Sequence, residues 1–330
     1  MNSRDCSVPF ISIITPTYNR MKTLKRAFDS LNKQTFNNFE WIIGDDGSTD
    51  DTRNLILTLK EQANFEIHYY KFEHRGKAAT QKDIYDISKG KYVIFLDSDD
   101  ELYNENTLQS IKNKICNLDE NENFWGICGC FIDQHNKIFP KFVEEKIIIT
   151  KELFMELLVN NSSLLNNCWI PRTDCFKFYN HSDIGDLPYY PEIVDFLNNV
   201  LNSKDFKFIL FNEPLYRYHT LNEDCVTITS KNTPVSWYET VGIINLFYKY
   251  KAAKKYKLYI KGKIKSLANG IYKQKGIVKT FNALQSIDAK IKFLILSQIK
   301  NIFSVTNTPD RKYKQITILG AKIKIKRKEC

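Results

Sequence analysis

The sequence predicts an α/β protein, a mostly parallel sheet flanked by helices, followed by a basic and mainly helical C-terminal extension. Three observations carry this expectation. Short apolar runs alternate with stretches of helical apolar spacing up to residue 96, the rhythm of right-handed parallel α/β units. Three of those runs stop at polar, acid-rich loops, Thr15–Arg20, Asp45–Asp50 and Asp97–Asp100, and open α/β sheets hold ligands at such strand ends. Charge is also divided along the chain. Residues 231–330 carry 23 Lys and Arg against 4 Asp and Glu, whereas the first 230 carry 25 against 34. The division predicts an α/β domain over 1–230 and a basic extension over 231–330.

The elements follow in order. Phe10–Ile14 reads as a strand that Pro16 brings to a turn. Leu24, Ala27, Phe28 and Leu31 give Lys22–Lys33 a helical stripe. Phe39–Ile43 is a second strand, and a helix over Asp51–Leu59 follows, with Ser48 or Asp50 as its cap. Phe65–Phe72 is a third strand, and Ala78–Ser88 is a helix closed by Gly90. Val93–Leu96 is a strand apolar on both faces. Beyond it, helices are expected over Asn104–Cys116, Lys151–Val159 and Pro191–Leu201. Strands are expected over Phe124–Ile132, Ile138–Phe142 and Phe206–Phe211, before a late loop ending Tyr216-Arg217-Tyr218-His219. In the basic extension, Ile287, Ile291, Ile295, Ile299 and Ile302 form one apolar helical stripe. Ile316–Lys326 alternates apolar residues with lysine around Gly320, as a hairpin does.

The composition is that of a globular protein, with 43% hydrophobic and 26% charged residues. Eight cysteines include no CxxC pair, so free thiols in a reducing compartment are expected rather than zinc ligands or disulfides. No signal peptide or membrane-spanning run stands out, and a cytoplasmic protein, peripheral on the inner face of the membrane, is expected. Lysines over residues 241–328 suit either solvent or an anionic lipid surface. The acidic first domain and the lack of a recognition module argue against nucleic acid as a partner.

Asp97, Asp99 and Asp100 stand within four positions at a strand end. Carboxylates this close repel unless a cation neutralises them, and a divalent ion carrying phosphate oxygens is one solution. A solvated acidic turn before a helix is the other.

Several motifs then agree: Ile14-Thr15-Pro16-Thr17-Tyr18-Asn19-Arg20, Gln34-Thr35-Phe36, Asp45-Asp46-Gly47-Ser48-Thr49-Asp50, Gly76-Lys77-Ala78, Gly90-Lys91-Tyr92 and Leu96-Asp97-Ser98-Asp99-Asp100. In this order they resemble the family 2 inverting glycosyltransferases of GT-A fold, closely over residues 8–105 and loosely over 106–225. The resemblance implies transfer of a sugar from a UDP-sugar to a saccharide or lipid-linked saccharide, with Mn²⁺ or Mg²⁺, in the synthesis of cell-surface glycans. It implies that Thr15 offers a hydroxyl and Tyr18 a face for the base. It implies that Asp46 accepts from uracil N3–H, with Asp45 a cap or ribose partner. Lys77 would meet the diphosphate. Asp99 would bind the metal and Asp97 the ribose or sugar, while Asp100 caps the next turn or supports the metal through water. Arg217 and His219 would touch the diphosphate or complete the metal shell.

The family's catalytic base opens a late helix, but Ile193 stands where its usual Asp would be. Glu192 is the replacement expected, with Asp186 and Asp195 behind it. Gln81-Lys82 stands where family members carry Arg-Asn. Trp169 and Tyr189-Tyr190 would either stack on acceptor sugars or pack in the core. The missing Asp leaves a catalytically silent GT-A-like scaffold as the alternative.

Overall fold

The computed structural model describes residues 8–118, 123–160, 165, 168–178, 192–219, 235–269, 282–286, 288–290, 292–293, 303–307, 313–318 and 321–326. Its first sheet is built by β1 (Ile11–Thr17), β2 (Phe39–Asp45), β3 (Glu66–Lys71) and β4 (Tyr92–Phe95), interleaved with α1 (Leu24–Asn32), α2 (Thr52–Gln62) and α3 (Lys77–Asp86). All four strands are parallel, in the order β3-β2-β1-β4. The chain therefore builds outward from β1 through β3, then returns to the other side of β1. A crevice opens at such a switch point, beyond the strands' C-terminal ends.

β1 and β2 are buried along their whole length, which is why they read as continuous apolar runs. Ile11, Ile13, Trp41 and Ile43 pack with Leu24, Phe28 and Leu31 of α1 and Ile56 and Leu59 of α2. β1 runs on through Pro16 to Thr17, longer than the sequence predicts. Pairing with β4 ends at Ile14 opposite Phe95, and Ile14 O, pointing to that side, accepts from Leu96 N. Pro16 shares the parity of Ile14, so the N–H it lacks would face a side with no strand to receive it. At the opposite end of the sheet, Ser12 Oγ donates to Glu40 Oε1 (2.6 Å) and accepts from Gly90 N (2.7 Å).

A second sheet contains β5 (Glu101–Leu102), β6 (Gly126–Asp133), β7 (Ile138–Phe139), β8 (Lys146–Thr150), β9 (Cys168–Pro171) and β10 (Lys207–Tyr218). β6 and β10 are parallel, and the other pairings are antiparallel. α4 (Thr107–Cys116), α5 (Lys151–Val159) and α6 (Glu192–Asn202) complete this part of the chain. The predicted late loop is strand: β10 continues to Tyr218, its register shifting on both sides of Pro214, where a bulge tolerates proline. An isolated bridge between Tyr92 and Arg172 links β4 to the end of β9.

The chain divides into two compact units, Met1–Ser182 with Asp186–Lys231, and Asn232–Cys330 with Asp183–Gly185. The second contains α7 (Val235–Lys249), α8 (Lys257–Asn269) and an antiparallel sheet of β11 (Phe303–Asn307), β12 (Tyr313–Ile318) and β13 (Ala321–Lys326). Ile244 and Phe247 of α7 and Ile260 and Ile264 of α8 are buried. Asn245 fixes the following segment, donating to Ala283 O (2.9 Å) and accepting from Gln285 N (3.0 Å). The predicted hairpin is β12–β13, joined by a third strand. The five isoleucines of the predicted stripe lie outside the described residues. Cys116, Cys128, Cys130, Cys168 and Cys175 are free thiols. No described helix is long and apolar enough to cross a membrane.

Candidate active site

The loops after β1 and β2 are tied side by side. Asn19 takes a left-handed conformation (φ 52°), which asparagine tolerates. Its Oδ1 accepts from Thr49 N (2.8 Å), and its own amide donates to Ser48 Oγ (2.9 Å). Ser48 is thereby spent on Asn19 rather than on α2, whose Thr52 N donates instead to Asp50 Oδ1 (3.1 Å). Arg20 N donates to Thr52 Oγ1 (3.0 Å). This lacing leaves Tyr18 41% exposed on the crevice.

Asp45 and Asp46 are both buried, with separate tasks. Asp45 closes its own turn, accepting from Ser48 N (2.7 Å) and Tyr69 OH (2.7 Å). The carboxylate of Asp46 holds the segment that leads into α3. It accepts from Arg75 N (2.8 Å), Gly76 N (2.9 Å) and Thr80 Oγ1 (2.9 Å), and His74 Nδ1 lies 2.9 Å from Oδ2. Gly76, at φ 95°, makes the turn that starts α3 at Lys77. Lys77 Nζ then lies 2.7 Å from Asp97 Oδ1.

Oxygens of Asp97, Asp99 and Asp100 all lie within 4.8 Å of one another. Burial holds the Asp99 carboxyl above its ordinary range, the Asp97 charge adds to this, and Arg20 and Lys77 offset part of it. Asp100 is pushed up further, by burial and then by Asp97 and Asp99. Its oxygens are already engaged, accepting from Tyr216 OH (2.8 Å) and His219 N (2.8 Å). Three hard oxygen donors, too crowded for their local counter-charge, fit a divalent cation of the Mg²⁺ or Mn²⁺ type, with Asp97 and Asp99 as the carboxylates less committed to structure.

These loops share one cavity of about 380 Å³. Tyr18, Arg20, Asp46, Lys77, Asp97 and Asp99 are among its lining residues. Phe95, Phe131, Phe176, Phe178 and Phe196 line it as well, with Trp169, Tyr218 and Asp195. The lining thus combines charged, oxygen-bearing side chains with aromatic ones, and includes two further carboxylates, Asp100 and Asp195.

Five of the expected site residues, Tyr18, Asp46, Lys77, Asp97 and Asp99, meet here. Thr15 does not: it is fully buried, and its hydroxyl accepts from Trp41 Nε1 (2.8 Å), because β1 continues past it inside the sheet. His219 stands beside the aspartate cluster with its ring turned to Glu101. Its backbone N reaches Asp100 of the aspartate cluster, while its Nε2 lies 3.1 Å from Glu101 Oε1. Arg217 likewise turns to Glu101 and to Asp133 O. Trp169 packs between Phe196 and Phe208 as a core residue with one edge on the cavity. Asp186 and Tyr189-Tyr190 lie outside the described residues, and of Glu192 only its place as the first residue of α6 is described. Asp195, ranked behind Glu192 by sequence, is the described α6 carboxylate on the cavity. Sequence reasoning passed over Tyr216 and His74. Tyr216 stands in the late Tyr-Arg-Tyr-His run without a role of its own, His74 stands in no motif, and both bond to residues distant in the chain.

A parallel sheet with a switch-point crevice, an aspartate cluster after β4 and a paired acidic loop after β2 make up an architecture of GT-A type. The profile of Glycosyl transferase family 2 matches residues 12–169. Over that segment the chain resembles glycosyl transferase family 2. It is 30% identical over 155 residues to the GalNAc(5)-diNAcBac-PP-undecaprenol beta-1,3-glucosyltransferase of Campylobacter jejuni, covering 45% of this chain and 48% of that protein. It is 28% identical over 221 residues to the uncharacterized glycosyltransferase MJ1057 of Methanocaldococcus jannaschii, covering 66% and 72%. The chain thus spans about half the length of the C. jejuni relative. The crystal structure of S. aureus TarS 1–349 in complex with UDP-GlcNAc shares the fold, with a TM-score of 0.55, 16% identity and coverage of 97% and 99%.

Proposed function

We propose that the protein is an inverting glycosyltransferase that moves a sugar from a UDP-sugar to a hydroxyl of a glycan or lipid-linked acceptor. The observation that carries this reading is the convergence of Asp97, Asp99, Lys77 and Tyr18 on one cavity. Tyr18 offers a ring face and Asp46 an acceptor for the base, while Lys77 and Arg20 bring positive charge to the diphosphate. The acceptor oxygen attacks the anomeric carbon as the bond from that carbon to the diphosphate oxygen breaks, the electron pair leaving with the diphosphate. The acceptor proton passes to a carboxylate of α6, Asp195 or Glu192. A divalent cation held by Asp97 and Asp99 would stabilise charge on the departing diphosphate. The aromatic wall suits the apolar face of an acceptor sugar ring. The C. jejuni relative, whose name places its acceptor on undecaprenyl diphosphate, supports a lipid-linked acceptor and a role in cell-surface glycan synthesis.

The test is UDP release across a panel of UDP-sugars, with and without Mn²⁺ or Mg²⁺. Asp99→Asn is expected to lose about 100-fold or more in rate while remaining folded. Unchanged turnover in that variant, or turnover indifferent to chelation, removes the cation from the mechanism. UDP binding without turnover on any donor selects the silent scaffold instead.

The exposed lysines of α8 favour a second element of this reading, attachment at the cytoplasmic face of a membrane.

A further inference from the structure

We propose that His74 occupies the nucleobase subsite of the free protein and must swing out before a donor binds. This rests on the reading that Tyr18 and Asp46 receive the base. The His74 ring stacks on Tyr18, with centroids 4.3 Å apart and planes 24° from parallel. Its Nδ1 lies 2.9 Å from Asp46 Oδ2 and 3.0 Å from Asp46 O. Both oxygens are acceptors, so Nδ1 is the nitrogen that carries the proton and donates. A flat ring on Tyr18 giving an N–H to Asp46 is the arrangement a uracil ring would adopt through its N3–H. The imidazole is thus a built-in stand-in for the base, and its stacking distance leaves no room for a second ring between it and Tyr18.

The surroundings let the ring leave without unfolding the loop. Asp46 holds the backbone that follows His74 through Arg75 N and Gly76 N, so the His74 side chain can rotate while that segment stays in place. That side chain is 58% exposed, so little packing is lost when it turns to solvent. Gly47, at φ 81°, lets the His74 backbone come this close: a Cβ there would lie 3.0 Å from His74 N and 3.2 Å from His74 Cβ. Donor binding consequently exchanges one stack and one hydrogen bond for another of the same kind, and His74 lowers donor affinity without touching the transferred sugar.

The test is calorimetric titration of UDP with Mg²⁺ into the full chain and two variants, together with NMR of the histidine ring signals. His74→Ala removes the competitor and is expected to bind UDP about tenfold more tightly. His74→Phe keeps a ring for Tyr18 but cannot donate to Asp46, and is expected to fall between the two. In the wild type, UDP is expected to move the His74 ring resonances toward those of a solvent-exposed histidine. Equal or weaker binding by His74→Ala, with unmoved His74 signals in the wild type, overturns the proposal while leaving the donor reading intact. If neither the wild type nor His74→Ala binds UDP, the uracil reading of Tyr18 and Asp46 falls, and the proposal with it.

Discussion

Asp100 lines the cavity, yet its carboxylate is committed to the fold. Its carboxylate is spent on Tyr216 OH and His219 N, and Tyr216 OH in turn accepts from Asp97 N (2.9 Å). One buried phenol thus sets the positions of two neighbouring aspartates. Tyr216→Phe leaves an oxygen of Asp100 and the Asp97 amide without that partner. A loss of about 1–3 kcal/mol is expected, read by urea unfolding, and cation-dependent UDP release should weaken in parallel. The same cluster sets a pH dependence of unusual sign. The Asp99 and Asp100 carboxyls titrate above their ordinary value of 3.8 in the folded protein. The folded state therefore holds more protons than the unfolded state between the raised value and 3.8, and this cluster's contribution to stability rises as pH falls through that window. Activity should fall over the same window as Asp99 loses its charge. Melting temperatures of wild type and Asp99→Asn across mildly acidic pH check this, and the variant should show a flatter profile. Residues such as Asp99, Asp46 and Lys77 were legible in the sequence because a local motif fixes where each stands relative to its strand end. The partners of Thr15 and His219, Trp41 and Glu101, were not, because they meet only in the folded chain.

At the scale of elements, the parallel sheet could be read directly, since the buried strands β1, β2 and β4 carry mostly apolar runs. The second sheet was harder. β8 and β9 are short, and each finds its partner far along the chain, β8 on β10 and β9 on β6. The sequence predicts a loop after Phe211 where a bulged strand continues past Pro214. Gly90 was legible only as a helix stop, yet its larger role is packing. A Cβ at that position would lie 2.3 Å from Ser12 N and 2.6 Å from Ser12 Oγ, between β1 and the start of β4. Ser12 in turn anchors Glu40, which also accepts from Lys89 N (2.9 Å). Gly90→Ala is expected to destabilise the protein by about 1–3 kcal/mol by overpacking this junction. The junction lies at the end of the sheet opposite the cavity, so chemical denaturation should register the change while UDP binding at a permissive temperature stays near wild type. A large fall in UDP affinity in a folded Gly90→Ala protein would mean that the sheet transmits strain along its length.

For the whole molecule, the division of charge seen in the sequence acquires a surface in the second unit. Lys254, Lys255, Lys257, Lys261 and Lys265 are exposed along α8 and the turn before it, and Leu258 is 84% exposed among them. Ile260, Ile264 and Leu267 form the buried side of the same helix. An exposed leucine within a field of lysines combines the two contributions that hold a helix at an anionic bilayer, apolar area and attraction to headgroups. Each lysine near such a surface contributes on the order of 1 kcal/mol, weakened by salt. Sedimentation with phosphatidylcholine vesicles containing phosphatidylglycerol should therefore bring the protein down at low salt and release it as salt rises, while neutral vesicles leave it in solution. Reversing Lys254, Lys257 and Lys261 to Glu should abolish the association, and Leu258→Ser should weaken it at every salt concentration. UDP release with a soluble acceptor should be unchanged in these variants, because none of the four residues lines the cavity. Equal binding of the wild type to neutral and anionic vesicles would leave charge out of the attachment. Tight, salt-sensitive binding to RNA with none to anionic vesicles would return the basic extension to the nucleic-acid reading that the acidic first domain disfavours.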